Sequence, residues 1–131
     1  MKKQELKFFL NRFRFFYFKN FCYLCDDYFT KIDKTEALTI AQKYAETVKG
    51  IYNFQKLILF GSYIKGNAHK DSDIDIAIVF SDYDSRIDRQ VELMKLTRKV
   101  DSRIEPHPFR EKEFEISNPF VNEIITYGVE I

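Results

Sequence analysis

Apolar positions recur at helical spacing over residues 34–49, where Ala37, Leu38, Ala41, Tyr44, Ala45 and Val48 form one stripe that stops at Gly50. Asp33, with Glu36 three positions on, has the form of a capping box, so the pattern predicts a helix that starts at residue 34. Residues 56–60 are a short, nearly all-apolar run of the kind given by a strand buried on both faces, and Gly61 ends it. After a loop of small and charged residues at 65–72, the segment 73–80 alternates with a two-residue period. Ile74, Ile76, Ile78 and Phe80 share one face, which must meet the core, while Asp73, Asp75, Ala77 and Val79 share the other. Residues 86–99 predict a second amphipathic helix through Ile87, Val91, Leu93, Met94 and Leu96, with Val100 just beyond. In 104–109, Pro106 and Pro108 each push the preceding residue toward extended backbone, which predicts a third strand that ends early or lies at an edge. Asn118-Pro119 opens a last short helix through Tyr127, closed by Gly128, with 129–131 extended. The whole predicts an α/β fold, a small mixed β-sheet with helices packed on it.

The 131 residues have the size of one domain, and 45% hydrophobic with 31% charged residues is ordinary globular usage that excludes a disordered chain. A net charge of +1 gives no reason to expect non-specific binding to nucleic acid or to a membrane. Residues 1–31 differ from the rest. They hold eight of the 14 phenylalanines and seven basic against three acidic residues, whereas the remaining hundred carry a net −3. Aromatics at 8, 9, 13, 16 and 17 have near-helical spacing, consistent with a basic amphipathic extension ahead of a core domain at 32–131. Lys7, Arg12, Arg14 and Lys19 interrupt this stretch, so it predicts neither a membrane span nor a signal peptide, and a cytoplasmic protein is expected. Cys22 and Cys25 lack the second pair a zinc site requires and read as two reduced thiols.

The candidate chemistry lies between the first two strands. Gly61-Ser62 directly follows a buried strand, and a helical turn begun at Ser62 would aim backbone N–H groups and a hydroxyl at whatever occupies the strand end. Asp73 and Asp75, on one face of the next strand, repel each other unless a cation sits between them, and a hard divalent ion with oxygen ligands is the common solution. An Asp-x-Asp alone says little: ten aspartates in 131 residues give ~0.8 such pairs by chance. The discriminating feature is the ordered series of apolar strand, Gly-Ser, ten-residue spacer, Asp-Ile-Asp and a second apolar strand. A third acid on a neighbouring strand would complete a two-metal arrangement. Asp101 and Glu105 compete for that place; they share strand parity but lie roughly 13 Å apart along a strand, so only one can reach. Glu105, between Ile104 and Pro106 in the better strand, is favoured, and His107 shares its face. His69, Lys70 and the basic positions 86, 89, 95, 98 and 99 are expected to be solvated, and Tyr63 to pack.

Gly61-Ser62-Tyr63-Ile64-Lys65-Gly66, followed by Ser72-Asp73-Ile74-Asp75-Ile76-Ala77-Ile78-Val79, resembles the signature of the nucleotidyltransferase superfamily that includes DNA polymerase beta. Residues 33–131 in particular resemble its minimal nucleotidyltransferases. The resemblance implies that Gly61 and Ser62 grip ATP, with Lys65 as a further phosphate contact. It also implies that Asp73 and Asp75, with Glu105 as third carboxylate, bind two Mg²⁺ ions, Glu105 serving as general base. Ile64 departs from the small residue usual at its position. The implied reaction is transfer of AMP to a hydroxyl. The small size leaves the acceptor to be brought by a partner, for which the resemblance offers a HEPN-type toxin neutralised by AMPylation. Two other functions stay open on the residues alone: a non-catalytic module that neutralises its partner by contact, and a catalytic subunit serving a small molecule held by a separate protein.

Overall fold

In the computed structural model, residues 22–69 and 71–131 are described, with side chains from Lys34 onward. The elements are α1 (Cys22–Lys49), β1 (Lys56–Phe60), α2 (Ser62–Lys65), β2 (Ile74–Phe80), α3 (Arg86–Thr97), β3 (Ile104–Arg110), a 3₁₀ turn (Glu111–Glu113), α4 (Pro119–Tyr127) and β4 (Val129–Glu130). The four strands form one mixed sheet in the order β3-β2-β1-β4, with β2 and β3 parallel and β1 antiparallel to both its neighbours. This is the small mixed sheet the alternation predicts.

Burial on both faces explains the apolar strands. Leu57, Leu59, Ile74, Ile76, Ile78, Phe80 and Ile104 point to one side, against Ala37, Ile40, Ala41, Tyr44 and Val48 of α1 and Leu93 and Leu96 of α3. Ile58, Phe60, Ala77, Val79 and Phe109 point to the other, where α4 covers them with Val121 and Ile124. The Tyr44 hydroxyl is buried and donates to the Leu93 carbonyl at 2.9 Å, which joins the two helices on the first face. Burial of that phenol raises its pKa well above the ordinary range.

β3 does lie at an edge. Its two prolines place the missing N–H groups on the free side, where the Pro106 carbonyl accepts from Gln90 Nε2 at 2.6 Å and the Pro108 carbonyl from the Tyr83 hydroxyl at 3.3 Å. That edge therefore offers little to an incoming strand. At the other edge β4 is short, as 129–131 suggested.

Two expectations are corrected. First, α1 does not start at residue 34 but runs unbroken from Cys22. Nothing in 22–33 is a glycine or proline, and the Glu36 carboxylate, which a capping box would turn back on the helix start, instead accepts from Arg103 Nη2 at 3.2 Å. Second, α3 buries Leu93 and Leu96 but leaves Ile87, Val91 and Met94 exposed, and it ends at Thr97. Arg89 takes the inward place: its guanidinium lies over the rings of Tyr52 at 4.3 Å, Phe80 at 5.0 Å and Tyr83 at 5.9 Å, rather than in solvent. Ser85, whose Oγ accepts from the Asp88 N–H at 3.3 Å, caps this helix. The aromatic positions 8, 9, 13, 16 and 17, the side chains of Cys22, Cys25 and Asp33, and Lys70 lie outside the described residues.

Candidate active site

The site is assembled where β1 ends and β2 and β3 begin. The antiparallel register sets Phe60 opposite Asp75, and the parallel register sets Asp75 opposite Glu105. Because paired residues in a sheet share a face, Asp75, Glu105 and, two residues on, His107 project to the same side, the side covered by α4. One donor atom from each of these three lies within 4.8 Å of the others, and among the described residues this is the one such cluster of three or more metal-ligating side chains. His107 Nε2 sits 3.2 Å from Asp75 Oδ1.

Gly61 is fitted to this cluster. Its φ of 85° and ψ of −153° belong to a region open almost only to glycine. A Cβ built there would stand 2.4 Å from Asp75 Oδ2. The turn that follows is tight: the Gly61 carbonyl accepts from the Ile64 and Lys65 N–H groups, and Gly66, at φ 80°, closes it with a bond to the Ser62 carbonyl. Tyr63 is buried and donates to the Ser72 carbonyl at 3.2 Å, a packing role as expected. Ile64 packs against the core.

The anticipated trio is thus brought together only in part. Asp75 and Glu105 meet; Asp73 is exposed, lies one residue ahead of β2 where no ladder bond fixes it, and is not among the clustered donors, whose third member is His107. Of the two acids competing for the third strand position, Asp101 is taken up elsewhere. It accepts from Arg103 at the backbone N–H (2.9 Å), Nε (3.1 Å) and Nη2 (2.9 Å), and these bonds raise the arginine pKa further. Lys65, expected at a phosphate, is paired with Glu123 of α4 and lies 5.8 Å from the Tyr127 ring. His69 sits in the loop, its N–H donating to Ser72 Oγ.

Sequence reading missed the aromatic wall. Phe60 and Phe120 cluster with His107, with ring centroids 5.3 Å and 6.2 Å from it and 5.7 Å from each other. Phe60 was legible only as a strand residue and Phe120 only as part of a terminal helix. Nothing local signals that α4 folds back over the strand ends.

An oxygen-rich pair of carboxylates, with space at Asp75 Oδ2 kept open by the absent Cβ of Gly61, fits a hard divalent cation. Asp75 and Glu105 are the residues that would hold it, and Asp73 is close along the chain for a further ligand.

A family model described as Polymerase beta, Nucleotidyltransferase matches residues 31–131, and the chain belongs to that family. Its mixed four-stranded sheet is the fold of that class. The matched region begins within α1. Protein adenylyltransferase MntA of Shewanella oneidensis is 32% identical over 81 residues, 62% of this chain and 55% of that protein, so the chain spans about half the relative's length. A crystal structure of the toxin-antitoxin MntA-HpeT is similar at a TM-score of 0.54 and 27% identity, covering 69% of this chain and 70% of that one. A toxin-antitoxin crystal structure with AMP-PNP gives 0.53 and 28%, with 69% and 70% covered. A candidate nucleotidyltransferase from Sulfolobus solfataricus, at a TM-score of 0.56 and 22% identity over 77% of this chain and 84% of that one, shares the fold. No helix of the described residues is long and apolar enough to cross a membrane.

Proposed function

We propose that this chain is a Mg²⁺-dependent adenylyltransferase that moves AMP from ATP to a hydroxyl on a partner protein, a HEPN-type toxin that it neutralises as an antitoxin in the cytoplasm. The catalytic unit is residues 32–131, with residues 1–31 as an extension. The observation that carries the reading is the meeting of Asp75 and Glu105 across the parallel β2–β3 register, beside a Gly61 whose missing side chain leaves room at Asp75. The relative named as a protein adenylyltransferase and the similar toxin-antitoxin structures, one with AMP-PNP, support the substrate and the kind of partner.

In this reading Asp73, Asp75 and Glu105 hold the metal, which when bound offsets the charge of the triphosphate and of the departing pyrophosphate. The Gly61-Ser62 turn grips the phosphates through its backbone and hydroxyl. Lys65 exchanges Glu123 for a phosphate oxygen, a small cost because an exposed ion pair contributes under about 1 kcal/mol. Glu105 takes the proton of the acceptor hydroxyl as its oxygen bonds to the α-phosphorus and the bond to pyrophosphate breaks.

Binding alone gives a first test. With Mg²⁺ and a non-hydrolysable ATP analogue at about a hundred times Kd, the folded state should gain about 2.7 kcal/mol, seen as a rise in melting temperature that Asp75→Asn removes. A wild-type melting temperature indifferent to Mg²⁺ and nucleotide would overturn the proposal and leave a module that acts by contact.

A further inference from the structure

We infer that the metal centre is a mixed oxygen and nitrogen site in which His107 is a direct ligand, so that it binds first-row transition-metal ions of the Mn²⁺ and Co²⁺ kind in preference to Mg²⁺. The inference rests on the proposed nucleotidyl-transfer site and concerns which ion that site selects. Three observations carry it. The three clustered donors are two carboxylates and one imidazole, not three carboxylates. His107 Nε2 lies 3.2 Å from Asp75 Oδ1, close to the separation of about 3 Å between neighbouring donors on an ion with bonds of about 2.0–2.2 Å. The imidazole packs against the rings of Phe60 and Phe120, and only about a quarter of its side chain is exposed.

Donor chemistry then sets the preference. Mg²⁺ favours oxygen ligands and its own water shell, whereas an imidazole nitrogen strengthens binding progressively along the series from Mn²⁺ through Co²⁺. A Mg²⁺ ion can occupy the same place on Asp75 and Glu105 without drawing on His107. Removal of His107 should therefore weaken Mn²⁺ and Co²⁺ far more than Mg²⁺.

The test reads the metal directly. Mn²⁺ is titrated into the full chain and followed by electron paramagnetic resonance, and Mg²⁺ affinity is obtained by competition. The expected result is Mn²⁺ bound about tenfold or more tightly than Mg²⁺, a preference that His107→Gln reduces by about tenfold. Pulsed spectra of Mn²⁺ on the unmodified chain should show coupling to an imidazole nitrogen, a readout that does not depend on how any variant folds. Bound Mn²⁺ without nitrogen coupling, or an unchanged preference in a folded His107→Gln, would overturn the inference while leaving the transfer site intact. Failure of Mn²⁺ and of Mg²⁺ with ATP to bind at all would overturn both.

Discussion

Replacing Gly61 by alanine should remove the site's function in a way that replacing Gly66 does not, and the two positions separate backbone strain from collision. Both glycines have positive φ, 85° and 80°. At Gly66 a Cβ meets nothing within 4 Å, so Gly66→Ala carries only the left-handed penalty, about 1–2 kcal/mol. At Gly61 ψ is −153° and the Cβ would stand 2.4 Å from Asp75 Oδ2. The strain there is about 1–3 kcal/mol, and the carboxylate must also move by roughly 1 Å to regain van der Waals contact, a displacement that can cost about 10²-fold in rate. At about 4 °C per kcal/mol for a domain of this size, Gly66→Ala should melt about 4–8 °C lower with cation binding and transfer retained. Gly61→Ala should melt about 4–12 °C lower, with cation affinity and adenylyl transfer lost by about two orders of magnitude. Calorimetry and Mn²⁺ titration on folded samples decide the matter. A Gly61→Ala variant that keeps near-wild-type cation affinity and transfer would refute the placement of Asp75 at the reacting centre.

Three further outcomes are expected. Glu105→Gln should abolish transfer with little change in melting temperature, whereas Asp101→Asn, which weakens three hydrogen bonds from Arg103, should lower stability by about 1–2 kcal/mol and leave transfer intact; denaturant titration beside a radiolabel assay checks both. Lys65→Met should raise the KM for ATP about tenfold, the value of a lost charged hydrogen bond, while Glu123→Gln should not. Tyr44→Phe removes the buried bond to the Leu93 carbonyl and should destabilise the chain by about 1–2 kcal/mol without affecting nucleotide binding.

Much of the fold was legible because the strands are short, β1 and β2 are largely apolar, and the prolines of β3 mark it as an edge. The run 56–60, the edge strand with its two prolines and the Asn118-Pro119 start of α4 all lie where local chemistry places them. Local chemistry failed where tertiary contacts decide. The Asp33 and Glu36 pattern imitates a helix start, but Arg103, 67 residues further on than Glu36, takes the glutamate. The inward face of α3 was misassigned because an arginine stem can fill an apolar slot when three rings line it, and the rings come from other segments. At the site, parity within each strand put Asp73 with Asp75, and Glu105 with His107, in advance; that Asp75 faces Glu105 came only with the register. The choice of Glu105 over Asp101 depended on strand register and on Arg103, neither of which period-two alternation contains.

Intact mass spectrometry of the protein encoded beside this chain, incubated with Mg²⁺, ATP and either the wild type or Asp75→Asn, tests the proposed transfer most directly. The expected result is a gain of one or more AMP units on the neighbour protein with the wild type and none with Asp75→Asn. An unmodified neighbour that is nevertheless bound and neutralised equally well by both forms would contradict it, and would make this chain an inhibitor by contact.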